Sequence, residues 1–106
     1  MRTAVIGSQY CTLPNIGSFL PPDTTALISS GAPGVDLLAE EWADARQLPK
    51  LILRHEDFPD PAVYGRSVAG VSETIVVALG PYTDRVAAVV ERAKSKGCRL
   101  RFILVP

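Results

Sequence analysis

Three features of the sequence predict an α/β fold, a single three-layer domain over residues 1–106 with a mainly parallel sheet of about five strands. Short apolar runs recur along the chain, at Thr3–Ile6, Ala26–Ile28, Leu51–Leu53, Thr74–Leu79 and Leu100–Val105. Between them stand segments of helical period, clearest through Val35, Leu38, Ala39, Trp42 and Ala45. Glycines follow several of the runs, as strand-to-helix turns require. Alternation of this kind implies parallel strands joined by right-handed crossovers.

Each element has its own local reason. Arg2 to Ile6 reads as the first strand, closed by Gly7-Ser8. Thr12 to Asp23 carries Pro14, Gly17, Pro21 and Pro22, so only one or two helical turns are expected there, with Thr12 as N-cap and Pro21 as the stop. Thr24 to Ser29 is the second strand. The loop Ser29 to Gly34 then leads into a helix from about Pro33 to Gln47, with Pro33 at the first helical position, where its missing N–H costs nothing. Leu51-Ile52-Leu53 is the third strand, after the boundary at Pro49. His55 to Tyr64, with Pro59 and Pro61, reads as a loop, and Gly65 to Gly70 as a segment with a short helical turn. Thr74 to Leu79 is a continuous apolar run and therefore a central strand. Thr83 to Lys96 is the last helix, with Lys94 and Lys96 at its negative end and Gly97 past it. Leu100 to Val105 is the fifth strand.

Composition narrows the function. Hydrophobic residues make up 47% of the chain, which supports a packed core and argues against disorder. Lysine plus arginine equals aspartate plus glutamate, 11 each, so the basic surplus of a general nucleic-acid binder is missing. No apolar run approaches the roughly 20 residues of a membrane span. The N-terminus reads as a strand rather than a secretory leader, and a cytoplasmic location is expected. Cys11 and Cys98 lie far apart, and His55 is the only histidine, so neither a metal site nor a resident cofactor is expected.

The residues with most chemical content surround the glycines. A strand-to-helix turn offers free N–H groups and the positive end of a helix dipole, which suits phosphate. Gly31 and Gly34 either serve only the packing of a tight turn or let a ligand approach the backbone closely. Ser8, Ser29 and Ser30 add hydroxyl donors, and in a parallel sheet Ser8 and Gln9 face the crevice at the carboxyl ends of the strands. Asp36 lies in the first helical turn. It either complements the dipole or takes a site role, accepting a bond from a ribose or base or orienting the loop. Glu40, Asp44 and Gln47 continue its stripe and read as a solvated face. Arg66 is the best placed cation of the middle loop; it either pairs a phosphate bidentately or is a plain surface arginine.

The stretch Ser30-Gly31-Ala32-Pro33-Gly34-Val35-Asp36-Leu37-Leu38-Ala39-Glu40-Glu41-Trp42-Ala43 resembles the second glycine loop and helix of the SLOG superfamily, in particular its small YspA/YpsA-like branch. Ala4-Val5-Ile6-Gly7-Ser8 resembles that family's first strand and loop. The resemblance implies a Rossmann-like domain that binds a nucleotide or nucleotide-derived ligand, with Gly7, Ser8, Gln9, Ser30, Gly31, Ala32, Pro33, Gly34, Asp36, Arg66 and Thr83 around it. It also implies self-association, expected as a homodimer. There are departures. Gln9 stands where family members often carry arginine, Ala69-Gly70-Val71-Ser72 lacks their Arg-Asn pair, and of the turn after the fourth strand only Thr83 survives. These losses weigh more against catalysis than against binding, because catalysis needs charge placed at the transition state.

Three functions follow in order of support. The first is a nucleotide-ligand binding module, in the manner of a sensor. The second is a hydrolase cleaving an N-glycosidic or phosphate bond of a nucleotide, with Asp36 or Glu40 as acid–base groups. The third is a nucleic-acid or protein interaction subunit.

Overall fold

The computed structural model describes residues 1–7, 15–31, 34–79 and 84–104. Five strands form one parallel sheet in the order β3-β2-β1-β4-β5. They are β1 (Arg2–Ile6), β2 (Ala26–Ser29), β3 (Lys50–Ile52), β4 (Thr74–Leu79) and β5 (Arg99–Leu104). The helices are α1 (Val35–Ala45), α2 (Pro61–Val71) and α3 (Asp84–Lys96).

The α/β fold expected from the sequence is therefore present, with every strand pairing parallel. The interior strands are the most apolar: Ala4 and Val5 of β1 and Ile75, Val76 and Val77 of β4 have no exposed surface. Strands covered on both faces need such continuous apolar runs. The outer strands β3 and β5 carry Lys50, Arg99 and Arg101, charges that discourage edge-to-edge pairing.

Side chains alternate between two cores, as a pleated strand requires. Ala4 and Ile6 join Ile28, Tyr64, Val68, Ile75, Val77, Val86 and Val89 on the α2–α3 face. Val5 joins Leu27, Val35, Ala39, Ala43, Val76 and Ile103 on the α1 face, with Trp42 packed at its margin. Among the described residues that second face has one α-helix and one 3-10 turn, Ile16–Phe19. The stunted segment expected before β2 is thus a 3-10 turn, while its proposed cap Thr12 lies outside the described residues. Cys98, expected as an apolar filler, is partly buried against the α2–α3 core.

The sequence reading fails in the middle of the chain. His55–Asp57 is a 3-10 turn, and residues 61–71, assigned to a loop and a short turn, form an α-helix of 11 residues. Two glycines and two prolines obscured it. Asp60 caps it by accepting from the Ala62 amide at 3.0 Å, and Pro61 sits in its first turn. Gly65 has a packing reason: a Cβ there would lie 2.6 Å from the carbonyl oxygen of Ala88, so the glycine lets α2 and α3 touch backbone to backbone.

Smaller differences lie at element ends. α1 ends at Ala45, and Gln47 takes a left-handed φ of 57° just past it. Among the described residues no helix is long and apolar enough to cross a membrane.

Candidate functional site

The parallel pairing of β1 with β2 brings Gly7 and the β2–α1 turn to the same edge of the sheet. Gly7 follows the last residue of β1. A Cβ at Gly7 would lie 2.8 Å from Val35 Cγ2 and 3.3 Å from Ala78 Cβ, so the residue is wedged between the start of α1 and the end of β4. Gly31 and Gly34 both take positive φ, 76° and 89°. Gly34 is the N-cap of α1, and among the described residues no side chain caps that helix. Amides of the first turn of an uncapped helix are anion donors.

Five side chains brace this turn from behind. Asp36 is 1% exposed. Its Oδ2 accepts from the Ser30 amide at 3.2 Å and also bonds the Ser30 hydroxyl. Ser30 in turn is hydrogen-bonded to the Tyr64 phenol, which α2 delivers from the other face of the sheet. Ser29 Oγ donates to Glu40 Oε2 at 2.7 Å and accepts from the Gly31 amide at 3.2 Å. Of the roles expected for Asp36, the placement matches loop orientation. Glu40, expected on a solvated face, is half-buried and turned toward β2.

Burial dominates the electrostatics. It pushes the Asp36 carboxyl up to about 7, against the opposing pull of the Ser30 hydroxyl and amide, and the nearby Glu40 raises it further. Asp36 Oδ1 has no hydrogen-bond partner among the described residues. Tyr64 is held well above its ordinary value, by burial first and by Asp36 second.

Two arginines belong to this end of the molecule and were not singled out from the sequence. Arg85 of α3 donates to the Phe58 carbonyl at 2.6 Å and lies over the Tyr64 ring at 5.5 Å. Arg54, just past β3, sets its guanidinium against Gly31: a Cβ on that glycine would be 3.1 Å from Arg54 Nη1. The signal for Arg54 was its position two residues after Ile52, on the same side of an extended strand. It becomes readable only once β3 is known to pair with β2.

Of the residues expected at the site, Gly7, Ser30, Gly31, Gly34 and Asp36 are brought together. Ser8, Gln9, Ala32, Pro33 and Thr83 lie outside the described residues. Arg66 is not brought to the turn. It lies on the exposed side of α2, lining a groove with Ala88, Glu91, Arg92 and Ser95 of α3. Ala62 of the first turn of α2 lines it too, and of the α3 residues Glu91, Arg92 and Ser95 lie in the half that leads toward the start of β5. The correction follows from the missed helix, since a loop placement for Arg66 held only while α2 was unrecognised.

No family model, curated protein or solved structure matches the chain.

Proposed function

We propose that the chain binds a nucleotide or nucleotide-derived ligand at the carboxyl edge of its sheet, as a binding or sensing module of the SLOG kind. One observation carries this reading. The β2–α1 turn holds two glycines at positive φ before an uncapped helix, directly beside the glycine that ends β1. A phosphate fits this chemistry because main-chain donors and the helix dipole act on it together.

Binding is favoured over catalysis by the direction of the two candidate carboxylates. Asp36 faces Ser30 and Glu40 faces Ser29, so both hold the turn in shape. A hydrolase acting on nucleotides is the second reading, and it rests on the near-neutral titration of Asp36. The reading further takes the protein to be cytoplasmic and a homodimer.

A thermal-shift screen over nucleotides, ADP-ribose, cyclic nucleotides and nucleoside monophosphates tests the proposal. A ligand at about 100 times its Kd stabilises by about 2.7 kcal/mol. Product formation from any hit would select the hydrolase. A salt-sensitive shift of DNA, without a nucleotide hit, would select an interaction subunit.

A further inference from the structure

We infer that Asp36, Ser30 and Tyr64 form a proton-operated switch across the end of the sheet, in which ionisation of the Asp36 carboxyl turns the Tyr64 phenol from hydrogen-bond acceptor into donor. The inference needs no ligand at the glycine turn and stands apart from the proposal above.

The three groups lie in series and come from three parts of the fold. Asp36 belongs to the first turn of α1, Ser30 directly follows β2, and Tyr64 belongs to α2. The helices that carry the two ends serve opposite faces of the sheet. Val35 and Ala39, on either side of Asp36, pack in the α1 core, whereas Tyr64 packs in the α2–α3 core. All three groups are buried. Ser30 Oγ bonds Asp36 Oδ2 on one side and the Tyr64 phenol on the other. A hydroxyl has one proton, so it donates to only one of them.

The proton of Asp36 decides which. A neutral carboxyl carries its proton on one of two oxygens. Oδ1 has no partner among the described residues, and a buried O–H without an acceptor is costly. On Oδ2 the proton meets Ser30 Oγ, and Ser30 then donates to Tyr64. A carboxylate can only accept. Ser30 must then donate to Asp36, and Tyr64 to Ser30. One proton therefore reverses both bonds, and a change of charge in the α1 layer is felt in the α2 layer.

The surroundings keep that proton exchangeable. The ion pairs found among the described residues, Arg2–Glu73 and Lys50–Asp44, do not involve Asp36. Its charged neighbours are Glu40, one turn along α1, and Arg54 after β3, whose guanidinium lies against Gly31. Arg85 of α3 lies over the Tyr64 ring and is bonded to the Phe58 carbonyl. β1 and β4 present the uncharged Gly7 and Ala78 to the start of α1. Burial first, then Glu40, set the Asp36 carboxyl at about 7 against the pull of Ser30, while Tyr64 keeps its proton well above that.

The test begins with carbon NMR of the wild-type chain. Asp36 Cγ and Tyr64 Cζ should titrate with one midpoint near 7. In Ser30→Ala the Tyr64 signal should stop following Asp36. Urea unfolding at pH 5 and pH 9 then measures what Tyr64→Phe costs. A donor in a chain that ends on a carboxylate is worth more than an acceptor in a neutral one. The substitution should therefore raise the unfolding constant about fivefold more at pH 9 than at pH 5. In the Asp36→Asn background the two costs should be equal, which also cancels other groups titrating in that range. An Asp36 that titrates near its ordinary value overturns the inference, and so does a silent Tyr64. A Tyr64 signal that still follows Asp36 in Ser30→Ala overturns it too, since the field of the charge would then act without the hydroxyl. Equal costs of Tyr64→Phe at both pH values in the wild-type background also overturn it. The wild-type titration decides even if a variant fails to fold.

Discussion

Ser30 and Asp36 close the β2–α1 turn on itself, with the Ser30 amide 3.2 Å from Asp36 Oδ2 and the Ser30 hydroxyl on the same oxygen. The carboxyl is buried and titrates near 7 because burial outweighs those two donors. The folded chain then holds a proton on Asp36 that the unfolded chain releases near pH 4. Stability from this group is greatest at acid pH and declines as pH rises from about 4 to about 7, by about 4 kcal/mol at most. Urea unfolding of wild type and Asp36→Asn at several pH values measures it. The asparagine variant should gain on the wild type as pH rises through this window, and a constant difference would exclude the effect.

Anion binding at the turn should follow the same proton. An ionised Asp36 behind the amides repels a phosphate, and a neutral one does not. Affinity for a nucleoside monophosphate should therefore fall between pH 6 and pH 8 in the wild type. In Asp36→Asn this component should vanish. Calorimetric titrations across that range are the check.

Gly34 holds a restrictive backbone conformation, φ 89° and ψ −141°. Only glycine visits that region without strain, so Gly34→Val should cost on the order of 1–3 kcal/mol in stability. Ligand affinity should fall as well, because the added side chain stands where an anion approaches the amides. Denaturant melts with calorimetry separate the two losses. An unchanged affinity in the folded variant would return the turn to a purely structural role.

Gly65 tests whether the packing of α2 supports the turn. A Cβ there would lie 2.6 Å from the Ala88 carbonyl oxygen, and its chain neighbour Tyr64 is hydrogen-bonded to Ser30. Gly65→Val forces α2 from α3 and should destabilise by about 1–3 kcal/mol. Because the shift of α2 also moves Tyr64, nucleotide affinity should fall in the fraction that remains folded, and calorimetry beside denaturant melts measures both losses.

The comparison between sequence and fold turns on what each signal depends on. β1 and β4 were legible because buried parallel strands leave continuous apolar runs, and α1 because its apolar stripe repeats over three turns. α2 was not. Its glycines and the prolines before it look like a loop, although Asp60-Pro61 is a sound helix start. The glycine turn was legible for the same reason as α1. Arg54 was not, since nothing in the order of residues says that β3 lies beside β2 rather than at the far edge. Asp36 was visible as a residue of interest, but its direction depends on Ser30 and on a tyrosine from the unrecognised helix.

The unequal covering of the two sheet faces has a consequence for how the molecule opens. Among the described residues α2 and α3 pack on each other and on one face, whereas α1 shares the other with one 3-10 turn. Amide exchange should therefore be fastest in the α1 layer and slowest in β1 and β4. Of the two chain connections that join α1 to the sheet, one leads to β3 and the other is the glycine turn. A ligand seated there would act as a latch, and its arrival should be felt as slowed exchange along α1, well beyond the few residues it touches.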